Sequence, residues 1–183
     1  MNFKKIFIPG VLIIEPTVFN DDRGFFLESW NQKNLFESTG IDECFVQDNH
    51  SRSVLKGVLR GLHYQLNFPQ AKLVRAISGR ILDVVVDLRK SSPTFGKHFS
   101  IELNDSNNLQ LWVPVGLAHG FLTISANADV LYKTTEYYSP SDEVCIKWND
   151  KSLNIDWRLN GNKPQLSIKD EKGIAFKDAQ YFL

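Results

Sequence analysis

The stretch GVLRGLHYQ, residues 57 to 65, carries Arg60, His63, Tyr64 and Gln65 inside a run that otherwise reads as a buried strand. An imidazole set among apolar strand residues must find hydrogen-bond partners or cost free energy, and its near-neutral pKa suits it to take up and release protons. His119, in LAHGF, is set in the same way, whereas His98 in GKHFS stands beside a turn and His50 in QDNHSRS lies on a polar edge. No GxSxG elbow is present, and neither Cys44 nor Cys145 has a histidine beside it, so nucleophilic catalysis finds no motif. Paired histidines of the HExxH kind are missing too, because Tyr64 and Gln65 follow His63, and a resident metal is not expected. These residue types leave acid and base chemistry by His63, Tyr132, Lys72 and carboxylates, with Arg23 and Arg60 to hold an anion.

Strands must position these side chains. Short alternating segments separated by turn signals recur throughout, and only NQKNLFESTG (31 to 40) reads as a helix, stopping at Gly40. The segment AKLVRAISGRILDVVVDL reads as a hairpin turning at Ser78-Gly79. That turn would put Lys72, Val74, Ala76, Ile81, Asp83, Val85 and Asp87 on one mixed face, and Leu73, Ile77, Leu82, Val84, Val86 and Leu88 on an apolar one. An exposed sheet face with a salt bridge explains the mixed face as well as a ligand cavity does. Further strands are expected in KHFSIELN, NNLQLWVPVG, AHGFLTIS and DVLYKTTEYY, with irregular structure packed over the domain after about Ser141. The opening MNFKKIFIPGVLII reads as a first strand rather than a secretory signal, since Pro9 and Gly10 break the run and Glu15 and Pro16 follow it. Many short strands at this spacing make the fold mainly β, a sandwich or jelly roll whose interior can hold a ligand.

With 183 residues, 43% of them hydrophobic and 12% aromatic, the chain can bury a full core, and its length fits one domain over 1–183. Twenty-one basic residues balance 21 acidic ones, so no global field recruits nucleic acid or an anionic membrane, and any anion must be bound locally. No segment approaches the ~20 apolar residues of a membrane span. Two cysteines far apart, without CxxC spacing, fit structural thiols in a reducing, cytoplasmic compartment.

Six stretches, DDRGFFLESW, QDNHSRSVLKGVLRGLHYQ, QAKLVRAISGRILDVVVDLRKSSPTFG, LWVPVGLAHGF, LYKTTEYYSP and IKWND, together resemble the dTDP-4-dehydrorhamnose 3,5-epimerase family, from about Ile6 to Asp170. The resemblance implies a cupin-type jelly roll with a few short helices, a homodimer in which an amino-terminal strand crosses to the partner, and no cofactor. It implies a dTDP-sugar substrate, dTDP-4-dehydro-6-deoxyglucose, whose C4 ketone acidifies the hydrogens at C3 and C5. A base would remove each proton to leave an enolate, and an acid would return one to the opposite face.

By this resemblance His63 is the base, Asp170 in SIKD the carboxylate that orients its ring, Tyr132 the acid and Lys72 the cation beside the developing oxyanion. His119 and Asp83 are expected along the same cavity. Arg23, Phe26, Glu28, Gln47, Asn49 and Arg60 match positions that hold the diphosphate and thymidine, Tyr138 an aromatic that stacks on the base, and Glu143 and Lys169 two further ligand positions. Such roles suit arginine forks, amide edges and an aromatic face. In a regular strand Arg60 and His63 point to opposite faces, so either a bulge at Gly61 re-aims Arg60 or Arg60 faces a neighbouring subunit. Two other readings stay open: an epimerase inverting C3 alone, and a non-catalytic sugar or nucleotide-binding barrel.

Overall fold

The structure is a computed structural model describing residues 1–183. Strands β1 (Asn2–Lys5) and β2 (Leu12–Glu15) form an antiparallel pair in which Asn2 faces Glu15, so the opening stretch is two strands rather than one. The breakers Pro9 and Gly10 occupy the connection between them. Strands β3 (Val18–Asp21) and β4 (Gly24–Leu27) then form a two-stranded sheet of their own. Helix α1 (Gln32–Thr39) has the limits its signals predict: the Asn31 side chain accepts the Asn34 N–H, and Gly40, at φ 76°, closes the last turn by donating to the Phe36 carbonyl.

The remaining strands are β5 (Gln47–Ser53), β6 (Leu59–Gln65), β7 (Lys72–Asp87), β8 (His98–Asn104), β9 (Gln110–Val113), β10 (Leu117–Thr134) and β11 (Glu143–Cys145), with a short helix α2 (Ile168–Glu171) near the end. Strands β7 and β10 run antiparallel along their lengths, from Asp87 opposite Leu117 to Lys72 opposite Thr134. Each is long enough to serve two sheets. On its other edge β7 pairs with β9 through Lys72–Arg75 and with β8 through Arg80–Val86, while β10 pairs with β6 near its start and with β5 over its last residues. Two long strands shared between two short-stranded layers give the jelly roll.

The expected hairpin at Ser78-Gly79 is absent. The chain runs straight through, with Ser78 and Gly79 paired to Asp129 and Ala128. The same Ser-Gly signal serves a bulge: register slips by one between Ser78 and Ala76, leaving Ile77 as the extra residue. Gly79 has φ 71°, and a Cβ there would lie 2.1 Å from the Asn127 carbonyl oxygen. Like the turn it replaces, the bulge flips parity. Val74, Ala76, Ile81 and Val85 therefore do share one core cluster, and Leu82, Val84, Val86 and Leu88 another. AHGFLTIS and DVLYKTTEYY likewise fuse into the single strand β10.

The chain after about Ser141 is mostly irregular and packs over the domain as expected. Leu153 and Trp157 bury themselves in the second cluster, where the Trp157 indole donates to the Trp148 carbonyl at 2.7 Å. No helix is long and apolar enough to cross a membrane.

Candidate active site

Strand β6 departs from regularity where its glycine stands. His63 pairs with His119 but Arg60 pairs with Phe121, so β6 holds one residue more than β10 between these points. Gly61 has φ 111°, and a Cβ there would come within 2.7 Å of Gly120 Cα and of the His119 carbonyl oxygen. Only glycine fits. The bulge brings Arg60 and His63 to the wall of one cavity of about 680 Å³, built from β5, β6, β7, β10, β11 and the start of α2.

His63 is held from one side. Its Nε2 lies 2.6 Å from Asp170 Oδ1, while Nδ1 has Glu143 Oε1 at 3.9 Å. Asp170 is 3% exposed and closely fixed: Gly61 N–H donates to it at 3.2 Å and Ser167 Oγ at 2.7 Å, while Ser167 accepts the Asp170 N–H in return. Burial would raise this carboxyl, but the bonds from His63, Ser167 and Gly61 outweigh it and hold it at about 2. Asp170 is therefore an anion that keeps the Nε2 proton in place. Cys145 Sγ lies 3.7 Å from the same Oδ1, its thiol pushed up to about 12 by burial and by that carboxylate.

Across the cavity, burial brings the Lys72 ammonium down to about 8 against the pull of Glu143 and Asp83. Burial, with Glu143 nearby, raises the Tyr132 hydroxyl, so it carries its proton at neutral pH. Glu143 accepts from both Tyr138 Oη and Lys169 Nζ; burial works to raise it, yet Lys169 and its other partners leave it below the usual carboxylate range. On the same wall Gln47 donates to Asn49 at 2.8 Å and accepts the Tyr138 N–H at 3.1 Å. His119 is also on the wall, its Nε2 2.9 Å from Asp83.

Four expected residues are not brought to this wall. Asp83 is fully buried behind His119 rather than lining the cavity. Arg23 and Phe26 project from the separate β3–β4 sheet, Arg23 with 90% of its side chain exposed and paired only to Asp21. Glu28 accepts from Asn31 and Asn34 at the head of α1. Conversely, Ser51, Arg52, Gln70 and Ser167 line the cavity without having been singled out, and so does His50 from its polar edge. Period-two alternation from Gln47 and Asn49 points to Ser51, and the Ser-x-x-Asp spacing of SIKD is a capping signal that points to Ser167.

The wall carries four basic side chains, Arg52, Arg60, Lys72 and Lys169, against the carboxylates of Glu143 and Asp170. That balance favours a polyanionic ligand, and the same wall carries an imidazole, a protonated phenol and an ammonium.

Residues 5–178 match the family model described as dTDP-4-dehydrorhamnose 3,5-epimerase. The chain is 53% identical over 182 residues to the dTDP-4-dehydrorhamnose 3,5-epimerase of Pseudomonas aeruginosa, covering 100% of this chain and 99% of that one. It is similar to the crystal structure of the Elizabethkingia anophelis dTDP-4-dehydrorhamnose 3,5-epimerase, with TM-score 0.94 and 47% identity over 99% of both chains. A Legionella pneumophila dTDP-6-deoxy-D-glucose-3,5-epimerase, solved in complex with dTDP-4-keto-L-rhamnose, superposes with TM-score 0.94 at 47% identity, covering 98% of this chain and 94% of that one. The chain belongs to the dTDP-4-dehydrorhamnose 3,5-epimerase family.

Proposed function

We propose that the large cavity binds dTDP-4-dehydro-6-deoxy-D-glucose and inverts it at C3 and C5 to dTDP-4-dehydro-L-rhamnose, with His63 and Tyr132 working from opposite faces of the ring. One observation carries the reading: His63, locked to Asp170 through Nε2, shares a cavity wall with a protonated Tyr132 and with Lys72. His63 Nδ1 takes the proton α to the ketone. Asp170 steadies the imidazolium that results, and the Lys72 ammonium meets the charge gathering on O4. Tyr132 then returns a proton to the other face. A proton leaves and a proton returns, so the reaction transfers no net electrons and needs no redox cofactor.

The diphosphate and thymine occupy the cationic and amide-bearing end, against Arg60, Lys169, Gln47, Asn49, Glu143 and the ring of Tyr138. Arg23, Phe26 and Glu28 serve the site of a second copy. In a homodimer the β3–β4 hairpin of one chain reaches across, which accounts for a separate sheet that exposes Phe19, Phe25, Phe26 and Arg23. The enzyme so read is a single domain working in the cytoplasm, in keeping with the unpaired Cys44 and Cys145.

The test is NMR of the dTDP-sugar incubated with enzyme in deuterated water. Label and inversion at both C3 and C5 are expected. Label at C3 alone would make the protein a mono-epimerase, and label at neither would leave a binding barrel.

A further inference from the structure

The thiol of Cys145 has no part in the proton transfers, yet it stands against the two groups that set up the base. A ring nitrogen of His63, Cys145 Sγ and an Asp170 carboxylate oxygen all lie within 4.8 Å of one another, and Nε2 is the nitrogen that faces Asp170. We propose that these three atoms bind a thiophilic divalent cation of the zinc class, and that the bound ion shuts the enzyme off.

The donor set is the first support. Thiolate, imidazole and carboxylate together select zinc-like ions over magnesium or calcium, and three protein ligands plus a water make a tetrahedral site. Geometry is the second. Ligand bonds of about 2.0 to 2.3 Å place neighbouring donors of a tetrahedral ion roughly 3.3 to 3.7 Å apart. Cys145 Sγ already lies 3.7 Å from Asp170 Oδ1, the 2.6 Å contact between His63 and Asp170 must widen, and the His63 and Cys145 donors start within 4.8 Å of each other. The His63 ring can supply that movement, since its side chain keeps 20% exposure on the cavity wall while Asp170 is pinned by Ser167 and Gly61. Access is the third, because the cavity that admits substrate also admits a hydrated ion to His63 and Asp170.

The proton balance gives the consequence. Binding releases one proton to solvent, from the Cys145 thiol, while the proton between Nε2 and Asp170 moves to the other ring nitrogen. The metal then holds Nε2 of a neutral imidazole, whose remaining proton must sit on Nδ1. A nitrogen that carries a proton cannot accept one from the sugar, so the ion silences the base without touching the nucleotide end.

The inhibition rests on the reading of His63 as the base, but the binding does not, and the experiment separates them. Cys44 is exposed, so it is replaced by Ser in every protein used. Cobalt(II) is added to C44S, and to C44S carrying Cys145→Ser or Cys145→Ala, and followed by its thiolate-to-metal charge-transfer absorption. Zinc is then titrated against epimerase turnover in each protein, scored relative to that protein without metal. The expected result is a thiolate band with one equivalent of cobalt in C44S and none in either Cys145 variant. Zinc inhibition, reversed by EDTA, should weaken in both variants by more than the ~10- to 100-fold that losing an outer partner of a metal site costs. No thiolate band in C44S, or equal zinc inhibition with and without Cys145, would overturn the site. A band without inhibition would keep the binding site and remove His63 as the base.

Discussion

Asp170 Oδ1 stands 2.6 Å from His63 Nε2 although 107 positions separate the two residues, and Ser167 and the Gly61 amide hold that carboxylate in turn. The His63 ring is thus oriented by a residue on a four-residue helix. His63→Asn should lower epimerisation at both carbons by roughly 10²- to 10⁴-fold while dTDP affinity by calorimetry stays near wild type. Asp170→Asn should fall within the same range, because an amide no longer fixes the tautomer. Solvent-hydrogen exchange at a near-normal rate in H63N would mean that another group is the base.

Tyr132→Phe keeps the ring and deletes only the hydroxyl. Abstraction by His63 survives, so in deuterated water the substrate should take up label with its configuration retained. Inverted product should drop by ~10²-fold or more, the deficit being larger at C5. NMR that resolves exchange from inversion decides the matter, and equal loss of both would sink a two-face mechanism.

Lys72 titrates at about 8 because its ammonium is buried. With Lys72 in the proposed role beside the enolate, turnover should decline as pH rises through about 8, when its charge is lost. Below that pH both folded and unfolded chains carry the charge, and folding must bury it. Lys72→Met should accordingly raise the melting temperature at pH 7 while cutting turnover by roughly 10²- to 10³-fold. Between about 8 and 10.5 the folded wild type sheds the proton that the unfolded chain keeps, so the stability gain of the variant should shrink there. A variant that is both less stable and fully active would refute the assignment.

Gly61→Ala asks for a Cβ within 2.7 Å of two backbone atoms of β10, at φ 111°. Neither strand can yield without shifting His63, Arg60 or His119. A stability loss of at least ~2 kcal/mol in urea unfolding is expected, with activity falling further than stability explains. Unchanged unfolding would show that the bulge relaxes freely.

If the β3–β4 hairpin works in trans, Arg23→Ala and His63→Asn disable different chains of each site. Mixing the two inactive proteins through a dissociation and reassociation step should restore about one quarter of wild-type activity, since half the dimers are mixed and each has one intact site. No recovery, in a mixture shown to exchange subunits, would place Arg23 outside the partner's site.

Local signals in the sequence determined a good deal of this protein. The helix limits at Asn31 and Gly40 were legible because capping is decided within a few residues, and so was the mainly β pattern with its irregular, buried carboxy-terminal cover. His63 and His119 were legible as polar anomalies in apolar strands. The shared face of Lys72 and Asp83 was legible for the wrong reason: a turn and a bulge both flip strand parity, and only the long-range pairing of β7 with β10 says which one Ser78-Gly79 makes. The meeting of His63 with Asp170, the aim of Arg60 and the retreat of Asp83 behind His119 depend on contacts between residues distant in sequence. Tertiary structure alone decided these, because register between distant strands is set by global packing, and a one-residue slip reverses which side of the sheet a side chain serves.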